Sequence, residues 1–250
     1  MLFVVGIGPG GRPHMTGRAL EAIAAAEVVV GYTLYIEMLG DLIDGKPVVS
    51  TGMTREVDRC GEAVRLALQG LDVAVVSTGD PGVYGMAGLV LELLADADPE
   101  GQVEVELVPG VSAVHAAASL LGAPLMTDFA VISLSDLLTP WATIQRRLEA
   151  AGSGDFVVAL YNPRSRKRVA HLEEACAILA RHRPGTTPAG IVRNALREGQ
   201  QVELTTLAEV SGREVDMMSV VIVGNASTRF LASRLVTPRG YRIGGRKPPT

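Results

Sequence analysis

The chain opens MLFVVGIGPGGRPHMT (1–16): an apolar run, 2–5, passes straight into glycines at 6, 8, 10 and 11. A Val-rich β run ending in glycine suits a parallel α/β unit, because the turn out of the strand brings backbone close to the sheet's carboxyl edge. Gly6, Gly8 and Gly11 also satisfy G-x-G-x-x-G, the dinucleotide fingerprint. That reading asks for a helix opening at the motif and an acid ending the second strand to bind a ribose hydroxyl. Neither is present. Pro9 stands inside the motif, and Arg12-Pro13-His14-Met15 intervene before Thr16, a good helix N-cap. The second β run, 27–30, leads to Gly31-Tyr32-Thr33, and the first acid afterwards is Glu37. A non-catalytic dinucleotide-binding module is the weaker alternative. A ligand loop at the carboxyl edge of a parallel sheet is the stronger one.

Outward from this stretch, strands and helices alternate. Short β runs at 2–5, 27–30, 47–49, 73–77 and 103–108 are separated by helical stretches at 18–26, 57–69 and 86–95, with a further helix at 112–121. Apolar strands joined by helices predict parallel βαβ units with both sheet faces covered. After Gly122-Ala123-Pro124 the style shifts. Strands are expected at 129–134, 156–160, 187–192, 202–204 and 219–223, and helices at 141–151, 169–181 and 207–210. The turn at 198–202 predicts a hairpin and hence a mixed sheet. The fold class is therefore α/β, as two α/β domains: an N-terminal one over 1–115 with a mostly parallel sheet, and a C-terminal one over 116–243 with a mixed sheet. The tail 244–250 is expected to be flexible.

At 250 residues the chain buries a substantial core. Its net charge of −4 comes without a basic tail or a run of like charge, which argues against nucleic acid as a partner. No apolar run approaches the roughly 20 residues of a membrane span. The amino terminus has no signal-peptide pattern, and Cys60 and Cys176 have no metal-ligand or disulfide spacing. A reducing, cytoplasmic location is expected. The 20 arginines against 3 lysines fit a GC-rich genome, or guanidinium forks that recognise carboxylates; both can hold together.

Two further loops repeat the opening arrangement: TGDPG (78–82) follows the run 73–77, and PGVSA (109–113) follows 103–108. Asp80 before Pro81 has the signature of an N-cap with proline at the first helical position, and Ser112 is a second candidate cap. Together the three loops would line one edge of one sheet.

GIGPG, STGDP and PGVSA resemble the three signature loops of the tetrapyrrole methylases, and the resemblance covers about 2–242. It implies two α/β domains with the cofactor in a cleft between them, in a homodimer. It also implies transfer of methyl groups from S-adenosylmethionine, with S-adenosylhomocysteine as product. Further stretches, GMTREV (52–57), DFAVISLSDLLTPW (128–141), LYNPRS (160–165) and VTPRGY (236–241), resemble the branch acting on precorrin-3B at C17, which couples methylation to ring contraction and gives precorrin-4 in cobalamin biosynthesis. Ala226 departs from the pattern, where serine is expected. Another precorrin or cobalt-factor III is the alternative substrate.

Carried over by position, the family's cofactor contacts fall on Pro9, Thr78, Gly79, Asp80, Val83, Ser112, Ala113, Tyr161, Asn162 and Ala195. The substrate's acetate and propionate groups suggest arginine partners: Arg12, Arg55, Arg164 and Arg166. Positive groups at Arg164, Arg166, Lys167 and Arg168 stand at an expected helix N-terminus. They oppose its macrodipole there, which makes better sense if an anion visits; a solvated helix start is the plainer reading. Ser135, Asp136 and His115 are candidates for the proton transfers of ring contraction, but a core or cap role suits each of them as well, so the sequence assigns no catalytic acid or base. No metal site is expected.

Overall fold

The computed structural model describes residues 1–165 and 168–241. The chain forms two compact units, 1–113 and 114–250.

The first unit runs β1 (Leu2–Gly6), α1 (Gly17–Ala25), β2 (Val28–Tyr32), α2 (Thr33–Glu37), β3 (Val48–Thr51), α3 (Glu56–Leu68), β4 (Val73–Ser77), α4 (Ala87–Ala97) and β5 (Val105–Val108). The strands pair in parallel in the order β3-β2-β4-β1-β5. Alternate residues of each strand face opposite sides. Leu2, Val4, Val73 and Val75 pack with Cys60, Ala63, Val64 and Val90 of α3 and α4. Phe3, Val5, Ala74 and Val76 pack with Ala19, Ala22 and Ile23 of α1. Each large apolar side chain so buried stabilises the fold by roughly 1.5–3 kcal/mol. The strand order places the ends of β4, β1 and β5 side by side, which brings the three glycine loops together.

The second unit contains α5 (Ala113–Leu121), whose first residue closes the preceding unit, then β6 (Gly122–Ala123), β7 (Phe129–Ser133), α6 (Trp141–Ser153), β8 (Val157–Tyr161), α7 (His171–Leu179), β9 (Pro188–Arg193), β10 (Gln201–Thr206), β11 (Ser219–Val223), β12 (Arg229–Leu231) and β13 (Arg234–Val236). Its main sheet has the order β10-β9-β11-β8-β7 and is mixed: β7 and β8 are parallel, whereas β11 runs against β8 and β9. The β9–β10 hairpin is the one expected from the turn at 198–202. One face is filled by Ile144 and Leu148 of α6 and Leu172, Cys176 and Leu179 of α7. At Gly190 on β9, a Cβ would stand 2.4 Å from Leu121 Cδ2, so glycine lets α5 pack directly on the backbone.

One expectation is corrected. The stretch 207–210 is not an α-helix; a 3-10 turn occupies Val210–Gly212. The small sheet β12-β13-β6 was not foreseen, because strands of two and three residues carry too little alternation to be read.

Candidate functional site

In the first unit the three loops form one backbone assembly. Beyond the paired ends of β1 and β4, Gly8 N donates to Gly79 O at 3.1 Å and Gly79 N to Gly8 O at 2.8 Å. This is an antiparallel bridge between two parallel strands, and the turn into it uses Gly8 at φ +70° and Gly79 at φ +69°. A Cβ at Gly110 would lie 2.1 Å from Gly79 O and 2.7 Å from Gly6 O. The glycines therefore serve backbone-to-backbone contact. The helix opens well after the motif: Thr16 caps α1 by accepting from Ala19 N, and its hydroxyl donates to Pro109 O at 3.3 Å. This is the delayed helix that spoiled the dinucleotide reading.

Asp80 joins the second loop to the third. Its Oδ1 accepts from Gly82 N at 2.8 Å and its Oδ2 from Gly110 N at 3.1 Å. The expectation that Asp80 caps the following helix, with Pro81 at its first position, is overturned. α4 starts at Ala87 with Met86 as its N-cap, and Asp80 instead closes a local turn. Ser77, the last residue of β4, has a buried hydroxyl with no partner among the described residues. Pro9 and Ser112 are buried, Thr78 and Ala113 are half-buried, and Val83 is 37% exposed.

Of the arginines expected to meet substrate, Arg12 is exposed, in a 3-10 turn after Gly11 and 3.8 Å from Asp41. Arg55 is exposed and paired with Asp58. Arg59 escaped the sequence reading. It is 2% exposed, and it donates to Thr51 Oγ1 at 2.5 Å, to Gly52 O at 3.3 Å and to Met86 Sδ at 3.3 Å. A signal existed: Arg59 lies on the apolar stripe of Cys60, Ala63, Val64 and Ala67, where an unpartnered charge is not tolerated.

In the second unit the ends of β7, β8 and β9 and the start of β11 share one edge. Tyr161 ends β8 and Asn162 follows it. The Tyr161 hydroxyl accepts from Val114 N at 2.7 Å and so satisfies an early N–H of α5. Asn162 has φ +50° and donates through Nδ2 to Ser133 Oγ at 3.0 Å. Ala195 is half-buried, between Asn194 and Leu196, both at positive φ. Arg164 donates to Ser211 O at 2.9 Å, and its Nε has no partner among the described residues. Arg166 and Lys167 lie outside the described residues, as does the tail 244–250.

Of the positive residues at 164–168, only Arg164 and Arg168 are described, and both lie before α7, which starts at His171. Arg168 is 8% exposed and turned inward, bonded to backbone carbonyls. Its role as a free anion-binding group is corrected accordingly. Asp136 Oδ2 lies 3.2 Å from His171 Nε2, a contact in which the carboxylate is the acceptor, and Asp136 Oδ1 lies 3.7 Å from Arg168 Nε. Ser135 N donates to Ser133 Oγ, and His115 sits edge-on to Phe129. Burial pushes the Cys60 thiol up to about 11 and the Cys176 thiol up to about 12, so both stay protonated and unreactive at neutral pH. Among the described residues no group of three or more His, Cys, Asp or Glu could hold a metal ion, and no helix is long and apolar enough to cross a membrane.

The family model for Tetrapyrrole (Corrin/Porphyrin) Methylases matches residues 1–211. The chain is 51% identical over 243 residues to a Salmonella typhimurium protein named "Probable cobalt-factor III C(17)-methyltransferase", covering 97% of this chain and 100% of the relative. It is 39% identical over 246 residues to a "Precorrin-3B C(17)-methyltransferase" of Sinorhizobium sp, covering 96% of each. Two other relatives are longer, and the chain spans 45% and 52% of them. Among solved structures, the methyltransferase CobJ superposes with a TM-score of 0.89 at 36% identity, over 95% of this chain and 99% of that one.

Proposed function

The chain belongs to the tetrapyrrole methylase family, and from that premise we propose that it transfers a methyl group from S-adenosylmethionine to C17 of precorrin-3B, with contraction of the ring to precorrin-4. The observation that carries the reading is the junction of the three glycine loops at Gly6, Gly79 and Gly110, tied by Asp80. Relatives of matching length that bear C17-methyltransferase names support it.

The residues present suit the donor. It is a zwitterion with a neutral adenine, and a loop edge made of main chain offers N–H and C=O groups without a nucleophilic side chain that the sulfonium could alkylate. The unpartnered Ser77 hydroxyl at the root of the second loop leaves a polar group to be satisfied there. When bound, the donor supplies the activated methyl group. The chain's own task is alignment, and holding reactants in line can remove roughly 7–11 kcal/mol of a barrier. In this reading Pro9, Thr78, Gly79, Asp80, Val83, Ser112 and Ala113 hold the donor from the first unit, and Tyr161, Asn162 and Ala195 are further contacts. Arg12, Arg55, Arg164 and Arg166 are the arginines assigned to substrate carboxylates. A homodimer and a cytoplasmic location complete the proposal.

A second reading keeps the chemistry and changes the macrocycle to cobalt-factor III. The 51% identity to the Salmonella relative, against 39% to the precorrin-3B enzyme, favours it. One assay separates the two: the protein is incubated with methyl-labelled donor and either precorrin-3B or cobalt-factor III. Label in a contracted macrocycle from precorrin-3B supports the main reading, and label only from the cobalt compound replaces it by the second. No label from either, with an active control, overturns both.

A further inference from the structure

Arg168 carries an inference that rests on the reading of Tyr161 and Asn162 as donor contacts. Its guanidinium is more than nine-tenths buried, yet its one carboxylate neighbour among the described residues, Asp136, stands 3.7 Å away and is itself a third exposed. Burying a cation costs several kcal/mol unless it is well paired, and this ion pair is too loose to account for the placement. The close contacts are to main chain. One nitrogen, Nη1, donates to Leu134 O at 2.9 Å and to Asn162 O at 3.0 Å. Nη2 reaches Met217 Sδ at 3.3 Å, and the backbone at Arg168 is closed by a reciprocal turn with Ser165.

Those two carbonyls are the first beyond the paired ends of β7 and β8, where the ladder stops and the strands become loops. A single cation bridging them holds the loops in register after the sheet has ended. The grip falls on Asn162, which is in the left-handed region at φ +50° and is also fixed by its side chain to Ser133 Oγ. Ser133 Oγ in turn accepts from Ser135 N. Asn162 is thus held at its carbonyl by Arg168 and at its carboxamide by Ser133, so neither ψ nor the side-chain torsions are free. A non-glycine residue at positive φ costs energy and persists where its surroundings hold it.

We propose that Arg168 is a positioning residue for methyl-donor binding, acting by clamping Leu134 O and Asn162 O so that Tyr161 and Asn162 are presented in one fixed geometry. It does not bind the substrate's carboxylates. The test is calorimetric titration with S-adenosylhomocysteine, together with steady-state kinetics and thermal melting. In Arg168→Met, loss of charge-assisted bonds to the two carbonyls should raise the dissociation constant roughly tenfold. The KM for the donor should rise while the KM for the tetrapyrrole does not. Arg168→Lys keeps a charge but not the fork, so about a threefold weakening is expected.

Asn162→Gly removes the carboxamide and keeps the left-handed backbone. Combined with Arg168→Met it should weaken binding by less than the product of the single effects, because both act through one contact. A purely structural arginine would lower the melting temperature and leave the donor affinity of the folded protein unchanged, and that result overturns the proposal. If Arg168→Met does not fold, Arg168→Lys decides alone, and wild-type affinity in it overturns the proposal. Failure of the wild type to bind S-adenosylhomocysteine would instead remove the functional reading on which this rests.

Discussion

At the scale of the residue, Asp80 shows how one side chain can tie two loops together. Its two oxygens accept from N–H groups on different loops, Gly82 and Gly110. A carboxylate has acceptors on both oxygens, whereas a carboxamide exchanges one of them for a donor. Asp80→Asn should therefore retain one bond and set an N–H against the other. It is expected to lower stability almost as much as Asp80→Ala, by about 1–2 kcal/mol in either case. Thermal melts would register this as a drop of several degrees. Donor affinity should fall further than the melting temperature implies, because the third loop loses its tie to the second. A melt of Asp80→Asn equal to wild type would show that the geometry does not depend on the second acceptor.

At the scale of the element, the three loops cohere because their glycines touch. A methyl at Gly110 would meet Gly79 O at 2.1 Å and Gly6 O at 2.7 Å, both backbone atoms that cannot turn aside. Gly110→Ala should cost about 3 kcal/mol or more. Gly61, inside α3, has nothing within 4 Å of where a Cβ would stand. Gly61→Ala should stabilise the protein by about 0.5–1 kcal/mol through helix propensity. Chemical denaturation of the pair tests the contrast, and it fails if the two substitutions have the same sign. The period of apolar residues made these elements legible. The run 73–77 is β4 in full, and 57–69 shifts by one residue to α3. The loops were legible as three glycine turns at strand ends, but their contacts were not. Which ends stand side by side depends on the order β3-β2-β4-β1-β5, which no local pattern encodes. The inward turn of Arg168 was hidden for the same reason: its carbonyl partners directly follow two strands that become neighbours only in the folded sheet. A charged cluster read along the chain looked like a surface feature, and the structure takes one member of it inside.

At the scale of the whole molecule, acid should not act evenly. Glu62 and Glu106 have their carboxyls held below the ordinary range by hydrogen bonds from Arg65 and Arg18, Asp98 by the backbone N–H groups of Val103 and Gln102, and Glu209 by Arg213. A carboxyl whose folded value is depressed binds fewer protons than in the unfolded chain. Its contribution is complete above the ordinary carboxylate range and is lost as pH falls through the depressed value. Three of these four groups lie in the first unit and one in the second. They also differ in kind. The glutamates pair with exposed arginines, so salt should weaken them; Asp98 is held by uncharged N–H groups where α4 turns towards β5, so salt should not. Amide exchange followed from neutral pH down to about pH 2 should show β4 and β5 losing protection before β8 and β9. Asp98→Asn should bring that loss to higher pH at low and high salt alike. Simultaneous loss in both units, or an Asp98→Asn effect that disappears in salt, would contradict this account. The first expected sign of acid stress thus falls on the unit that carries the glycine loops, so donor affinity should decline with pH before the second unit loses its fold.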